Sequence, residues 1–246
     1  MDGSTAVAGS EESGESTNVA RLRLLGAFEV EGGAPATAEK WGELPHSARR
    51  LVAFLGLHGP ATRDLVAGSL WPETREPQAQ ADLRTTLWRT GTICPGLVVV
   101  SGRSSLRLDP QVRVDVAELQ ALTWRLHAGH PVQCGIVPAY GVLLPGWYDE
   151  WVVVARERLR QLQLHALEEL AEQLLARGAY GAALDLALTA VEYEPLRQSC
   201  QHLVARIHIA EGNYVEAVRS VHAFKELLWD ELGVLPSPEL LRLVAR

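Results

Sequence analysis

Arg84, Thr85, Trp88 and Arg89 fall within one short stretch, Gln78-Ala79-Gln80-Ala81-Asp82-Leu83-Arg84-Thr85-Thr86-Leu87-Trp88-Arg89-Thr90. Two guanidinium groups can bind phosphates or guanine edges, a hydroxyl can hydrogen-bond a base, and an indole can lie on a sugar or a thymine methyl. The spacing predicts that all four groups lie on the outer side of a helix. Leu83, Leu87 and Thr90 recur at i, i+4 and i+7 and form one inward stripe. Pro77 suits the opening turn, where its missing N–H removes no helical bond. A helix of this kind can enter a DNA major groove. The plainer alternatives are an amphipathic surface helix with solvated arginines and a Trp88 folded back beside Trp71. Thr90 fills the stripe poorly, and Gly91 favours ending the helix there.

Such a helix needs a scaffold, and the preceding residues predict one. Arg21-Leu22-Arg23-Leu24 and Ala27-Phe28-Glu29-Val30 alternate around turn residues and read as a short β-meander. Leu51, Phe54 and Leu55 mark a first helix over about Ser47 to Leu57, closed by Gly59-Pro60. Thr62 is the expected N-cap of a second helix, with Asp64 in its first turn and Leu65, Val66, Ser69 and Leu70 inward. After the third helix, Leu97 to Val100 and Ser105 to Leu108 flank Ser101-Gly102-Arg103-Ser104, a β-hairpin with Arg103 at its tip. Helix, helix, outward-polar helix and hairpin is the order of a winged helix-turn-helix. Arg49 and Arg50 on the first helix fit either a phosphate contact or an exposed face.

Charge is distributed unevenly. The whole chain carries −7, but residues 1–20 hold −4, residues 21–115 hold +2 and residues 116–246 hold −5. Any DNA binding must therefore rest on a few placed arginines and not on a broad basic surface. Residues 1–20 are too poor in large apolar side chains to offset their ordering entropy and are expected to be a disordered acidic tail. No run is long and apolar enough for a membrane span and no secretory signal opens the chain. Three widely spaced cysteines, Cys94, Cys134 and Cys200, fit a reducing cytoplasm.

The segment from Leu24 to Asp115 resembles the OmpR-type winged helix of the Streptomyces antibiotic regulatory protein family. The resemblance rests on Leu25-Gly26-Ala27-Phe28-Glu29-Val30, Leu70-Trp71-Pro72, Leu83-Arg84-Thr85-Thr86-Leu87-Trp88-Arg89, and Leu106-Arg107-Leu108 running to Val114-Asp115-Val116. It implies that Arg84, Thr85, Trp88 and Arg89 face the groove and that Arg103 reaches from the wing. One departure is local: Thr90-Gly91-Thr92 stands where the family carries a leucine and further arginines.

The C-terminal half repeats itself. Gly178-Ala179-Tyr180 and Gly212-Asn213-Tyr214, and likewise Ala183 and Ala217, are separated by 34 residues, the tetratricopeptide period. Glycine suits the turn within each helix pair, and tyrosine and alanine the close helix contact. Ala190 and Pro195 complete the first repeat, whereas Trp229 takes the proline position in the second. A long helix precedes the repeats, through Val154, Leu159, Leu162, Leu167, Leu170 and Leu174. This half is similar to the bacterial transcriptional activator domain, on Leu143-Leu144-Pro145-Gly146-Trp147-Tyr148-Asp149-Glu150-Trp151, Glu194-Pro195-Leu196-Arg197, Ala210-Glu211-Gly212-Asn213 and Glu231-Leu232-Gly233-Val234-Leu235-Pro236.

No phosphate-binding glycine loop, nucleophile elbow or zinc-ligand spacing occurs, so neither catalysis, nor a cofactor, nor a metal is expected. The expected fold is mainly α with a minor β part, a winged helix-turn-helix over residues 21–115 followed by a TPR-like all-α domain over 116–246. The expected function is that of a cytoplasmic, DNA-binding transcriptional regulator. The resemblance implies an activator that binds promoter repeats in double-stranded DNA and contacts RNA polymerase holoenzyme, with self-association or signal input through the helical domain. The competing reading is a protein-interaction scaffold that does not bind DNA.

Overall fold

The structure, a computed structural model, describes residues 20–31, 41–101, 104–130 and 140–245. Strands β1 (Arg21–Arg23) and β2 (Glu29–Glu31) pair antiparallel, with Leu22 opposite Val30. Helices α1 (His46–His58) and α2 (Arg63–Leu70) follow, separated by strand β3 (Ala61–Thr62). Helix α3 spans Glu76–Ile93 and leads into the hairpin β4 (Val98–Ser101) and β5 (Ser105–Leu108). Strand β6 (Arg113–Val114) runs directly into α4 (Asp115–His127). Five helices follow among the described residues: α5 (Glu150–Ala176), α6 (Tyr180–Tyr193), α7 (Gln198–Glu211), α8 (Tyr214–Leu232) and α9 (Pro238–Val244).

Among the described residues, two three-stranded sheets result. In the wing sheet β5 lies between β3 and β4, and the hairpin is paired as far as Ser101 opposite Ser105. The N-terminal sheet is not a meander: its third strand is β6, which pairs parallel to β1 from about ninety residues away in the chain. A two-residue strand has no room for an alternation pattern, so its pairing could not be read locally.

Asp115 explains why β6 returns there. Its carboxylate is 1% exposed and accepts the backbone N–H groups of Leu24 and Leu25 at 2.9 Å each and that of Val116 at 2.7 Å. Burial pushes this carboxyl up, while the three N–H donors and Arg21 pull it down. It stands in the first turn of α4 and holds the chain end of β1, where the donors have no strand partner. Next to it, the segment 141–144 crosses the same chain: Leu25 bridges Leu143, the Leu144 N–H donates to Leu24, and the Gly26 N–H to Val142. Gly141 makes this crossing possible, since a Cβ there would come within 2.9 Å of the Gly26 nitrogen.

One apolar cluster runs through Leu22, Leu24, Val52, Leu119, Leu143, Leu159, Leu167, Ala183, Ala187 and Leu203 and so joins the sheet, α1 and α4 to the repeat helices. A second fills the space among α1, α2, α3 and β5 around Leu51, Phe54, Val66, Leu70, Leu83 and Leu106. The 34-residue repeat is structural: Tyr180 and Tyr214 open α6 and α8, and Ala183 and Ala217 are fully buried. Gly178 and Gly212 turn the chain at φ 74° and 90°, a left-handed conformation that favours glycine. Between the pairs, Arg197 forks onto Glu168 at 3.1 and 2.8 Å. Some sequence expectations fail in detail. Val154 is 71% exposed, and Val152 takes its place in the core; Leu65 is 55% exposed, and Ala67 is buried instead.

Asp115→Ala should destabilise the protein by about 3–5 kcal/mol, because it strands buried N–H donors at the junction. Urea unfolding followed by circular dichroism measures this, and a loss below about 1 kcal/mol would contradict the role given to the carboxylate.

Candidate nucleic-acid interface

Helix α3 is held from behind and free in front. Ala79, Leu83, Thr86 and Thr90 are buried and Leu87 is half-buried, so the inward stripe is broader than Leu83, Leu87 and Thr90 alone. Pro77 stands in the first turn. Gln80 donates to Asp64 at 2.7 Å and joins the N-terminal end of α3 to α2. Thr62 caps α2 by accepting the Leu65 N–H at 3.3 Å.

Arg84, Thr85, Trp88 and Arg89 are all exposed on the side away from this stripe. Trp88 is 70% exposed and is therefore not folded back beside Trp71. No ion pair among the described residues engages Arg84 or Arg89. Both guanidinium groups are thus available to an external anion. Arg103 lies outside the described residues, although the strands on either side of it are paired.

Helix α3 does not stop at Gly91 but continues to Ile93. Thr90 is fully buried, and its hydroxyl donates to the Thr86 carbonyl at 2.8 Å, which lets a threonine sit in an apolar stripe without a stranded polar group. Gly91 is exposed, with nothing within 4 Å of the position its Cβ would take.

Arg49 and Arg50 turn inward, against the expectation of phosphate contact or an open face. Arg49 donates to the Leu44 and Gly42 carbonyls at 2.9 and 2.7 Å. Arg50 binds the Leu70 carbonyl at 2.6 Å and pairs with Asp149, its Nε lying 2.8 Å from Oδ1. The partners are ninety-nine positions apart, so no local pattern announced the pair. This clamp joins α1 and the end of α2 to the start of α5. Beside it Phe54 meets Trp151 edge-on at 5.3 Å, Trp151 meets Trp147, and Phe28 stacks on Trp147 at 5.9 Å. Burial lowers the pKa of His58, which touches both Phe54 and Trp151. Arg156 ties the turn before α5 by donating to the Leu143 and Leu144 carbonyls at 2.9 and 2.7 Å. The motif Gly146 to Trp151 is therefore a junction between the halves. A cleft of about 800 Å³ beside it is lined by Leu65, Tyr148 and Arg158 among others.

Cys200 is buried against Glu168, to which its thiol donates at 3.2 Å, and its pKa is pushed up to about 12. Desolvation and the carboxylate both oppose the thiolate, so this thiol stays protonated against Glu168. Among the described residues, no helix is long and apolar enough to cross a membrane.

The architecture defines a class, a winged helix-turn-helix followed by a TPR-like helical domain. Residues 109–246, over half of the chain, match the bacterial transcriptional activator domain, and the chain belongs to that family. Regulatory protein AfsR of Streptomyces coelicolor is 27% identical over 215 residues, 82% of this chain and 22% of that protein. Mycobacterium tuberculosis EmbR, solved in complex with a low-affinity phosphopeptide, has the same fold, with a TM-score of 0.65 at 21% identity over 92% of this chain and 64% of that one. The chain spans less than two thirds of the length of either relative.

Gly91→Ala should raise stability by about 0.5–1 kcal/mol, the usual gain in an exposed helix interior. Thermal unfolding checks it, and a lowered Tm would mean that the helix does not continue through position 91 as described.

Proposed function

We propose that the protein is a sequence-specific DNA-binding activator, with residues 21–115 reading DNA and residues 116–246 making protein contacts. The observation that carries this is the unpartnered outer face of α3, where Arg84, Thr85, Trp88 and Arg89 are exposed together on a helix fixed from behind. Phosphate contacts supply most of the affinity in such an arrangement and base contacts supply the choice. Arg103, between the paired strands β4 and β5, is assigned to the adjacent backbone or minor groove. With only +2 over residues 21–115, affinity depends on these few cations.

Membership of the activator-domain family supports binding to promoter repeats and contact with RNA polymerase holoenzyme. The helical half offers exposed Trp229, Leu232 and Leu235 at the end of α8 and beyond it, which suits protein contact, including self-association on neighbouring repeats.

Arg84→Ala and Arg89→Ala should each weaken duplex binding in gel-shift titrations by about tenfold or more and reduce the slope of log affinity against log salt by about one. If both variants bind DNA like the parent protein, α3 is not the reading helix. If the parent binds no duplex but captures a protein partner tightly, the scaffold reading replaces this one.

A further inference from the structure

Position around α3 separates the outward side chains into two kinds. At roughly 100° per residue, Ala81, Thr85, Trp88 and Thr92 fall on one line, opposite the buried line of Ala79, Leu83, Thr86 and Thr90. Arg84 lies to one side of the outer line and Arg89 to the other. A helix docked by its outermost line would set that line against the base edges and the two arginines toward the strands that wall the groove.

The outer line offers few hydrogen-bond donors. The Thr85 hydroxyl donates to the Ala81 carbonyl at 3.0 Å, and the Thr92 hydroxyl donates to the Trp88 carbonyl at 2.9 Å. Both hydroxyl hydrogens are thus committed within the helix. What remains outward is the methyl groups of Ala81, Thr85 and Thr92 and the indole of Trp88, whose Nε1–H is the one uncommitted side-chain donor on the line. In the major groove the thymine 5-methyl is the apolar group on a base edge, and methyl and ring carbons are its natural contacts.

We propose that this helix selects thymine-containing steps through apolar contact, with Thr85 and Trp88 as the specificity-determining residues and Arg84 and Arg89 as phosphate contacts. The proposal rests on the DNA-binding reading above. It differs from the usual expectation for a groove arginine, which is bidentate recognition of guanine.

The test starts with the full-length protein and a randomised duplex pool, from which bound sequences are selected. Each thymine of the selected duplex is then replaced in turn by deoxyuridine, which lacks only the methyl. At one or two positions the change should weaken binding about fourfold, the equivalent of one buried methyl group. Trp88→Ala, at a site 70% exposed, should lose the thymine preference at those positions, its selected sequence relaxing there and nowhere else. Arg84→Ala and Arg89→Ala should select the same sequence as the parent, with weaker binding throughout. The proposal is overturned if no thymine is sensitive to methyl removal, if Trp88→Ala selects the parent sequence unchanged, or if an arginine variant relaxes a guanine position. Selection of no duplex at all overturns the DNA-binding reading itself, and this proposal with it.

Discussion

A buried carboxylate fixes the junction where the N-terminal sheet meets the helices. Asp115 sits at the start of α4, out of water, and takes three backbone N–H groups, two of them from the end of β1. A carboxylate so placed is stable only if every donor stays in position, since an unpaired buried charge is far costlier than an unpaired surface one. The N-terminal sheet, the start of α4 and the crossing segment 141–144 are therefore set together. The Arg50–Asp149 pair and the aromatic contacts of Trp147 and Trp151 extend the same junction to α1, α2 and α5. The apolar cluster continues unbroken from Leu22 through Leu143 to Leu203.

This rigidity gives α3 its character. Its inner line is packed among α1, α2 and β5, so the helix cannot rotate to hide its outer side chains. An indole at 70% exposure and two unpaired guanidinium groups are held in water by the packing behind them. Exposing a tryptophan and ordering two long cationic side chains is unfavourable for a free protein. The arrangement makes sense when the face is completed by a polyanion whose base edges offer methyl groups.

The sequence disclosed what depends on local period and little of what depends on distant pairing. The stripe through Leu83, the Thr62 cap, the hairpin around position 103 and the 34-residue recurrence of Gly178 and Gly212 all arise from neighbours within a turn or a fixed repeat. Arg84, Thr85, Trp88 and Arg89 could be placed outward for the same reason. By contrast, β6 beside β1, Gly141 against Gly26, and Arg50 with Asp149 join residues that lie about ninety or more positions apart. No periodicity encodes such contacts. Arg50 shows the consequence: read locally it is a surface cation, but the Leu70 carbonyl and the distant Asp149 carboxylate draw it inward. Gly91 was misread for a different reason. Its low helix propensity is real, but the packed inner line, with Thr90 fully buried, keeps the helix going to Ile93.

The central claim is that the outer line of α3 lies against base edges. The most direct measurement places a photo-reactive amino acid at position 85 and, as a control, at the 61%-exposed position 215 on α8, and irradiates each protein on a selected duplex. The account predicts crosslinks from position 85 to bases within the selected site and none from position 215. Crosslinks from position 215 with none from position 85 would contradict it.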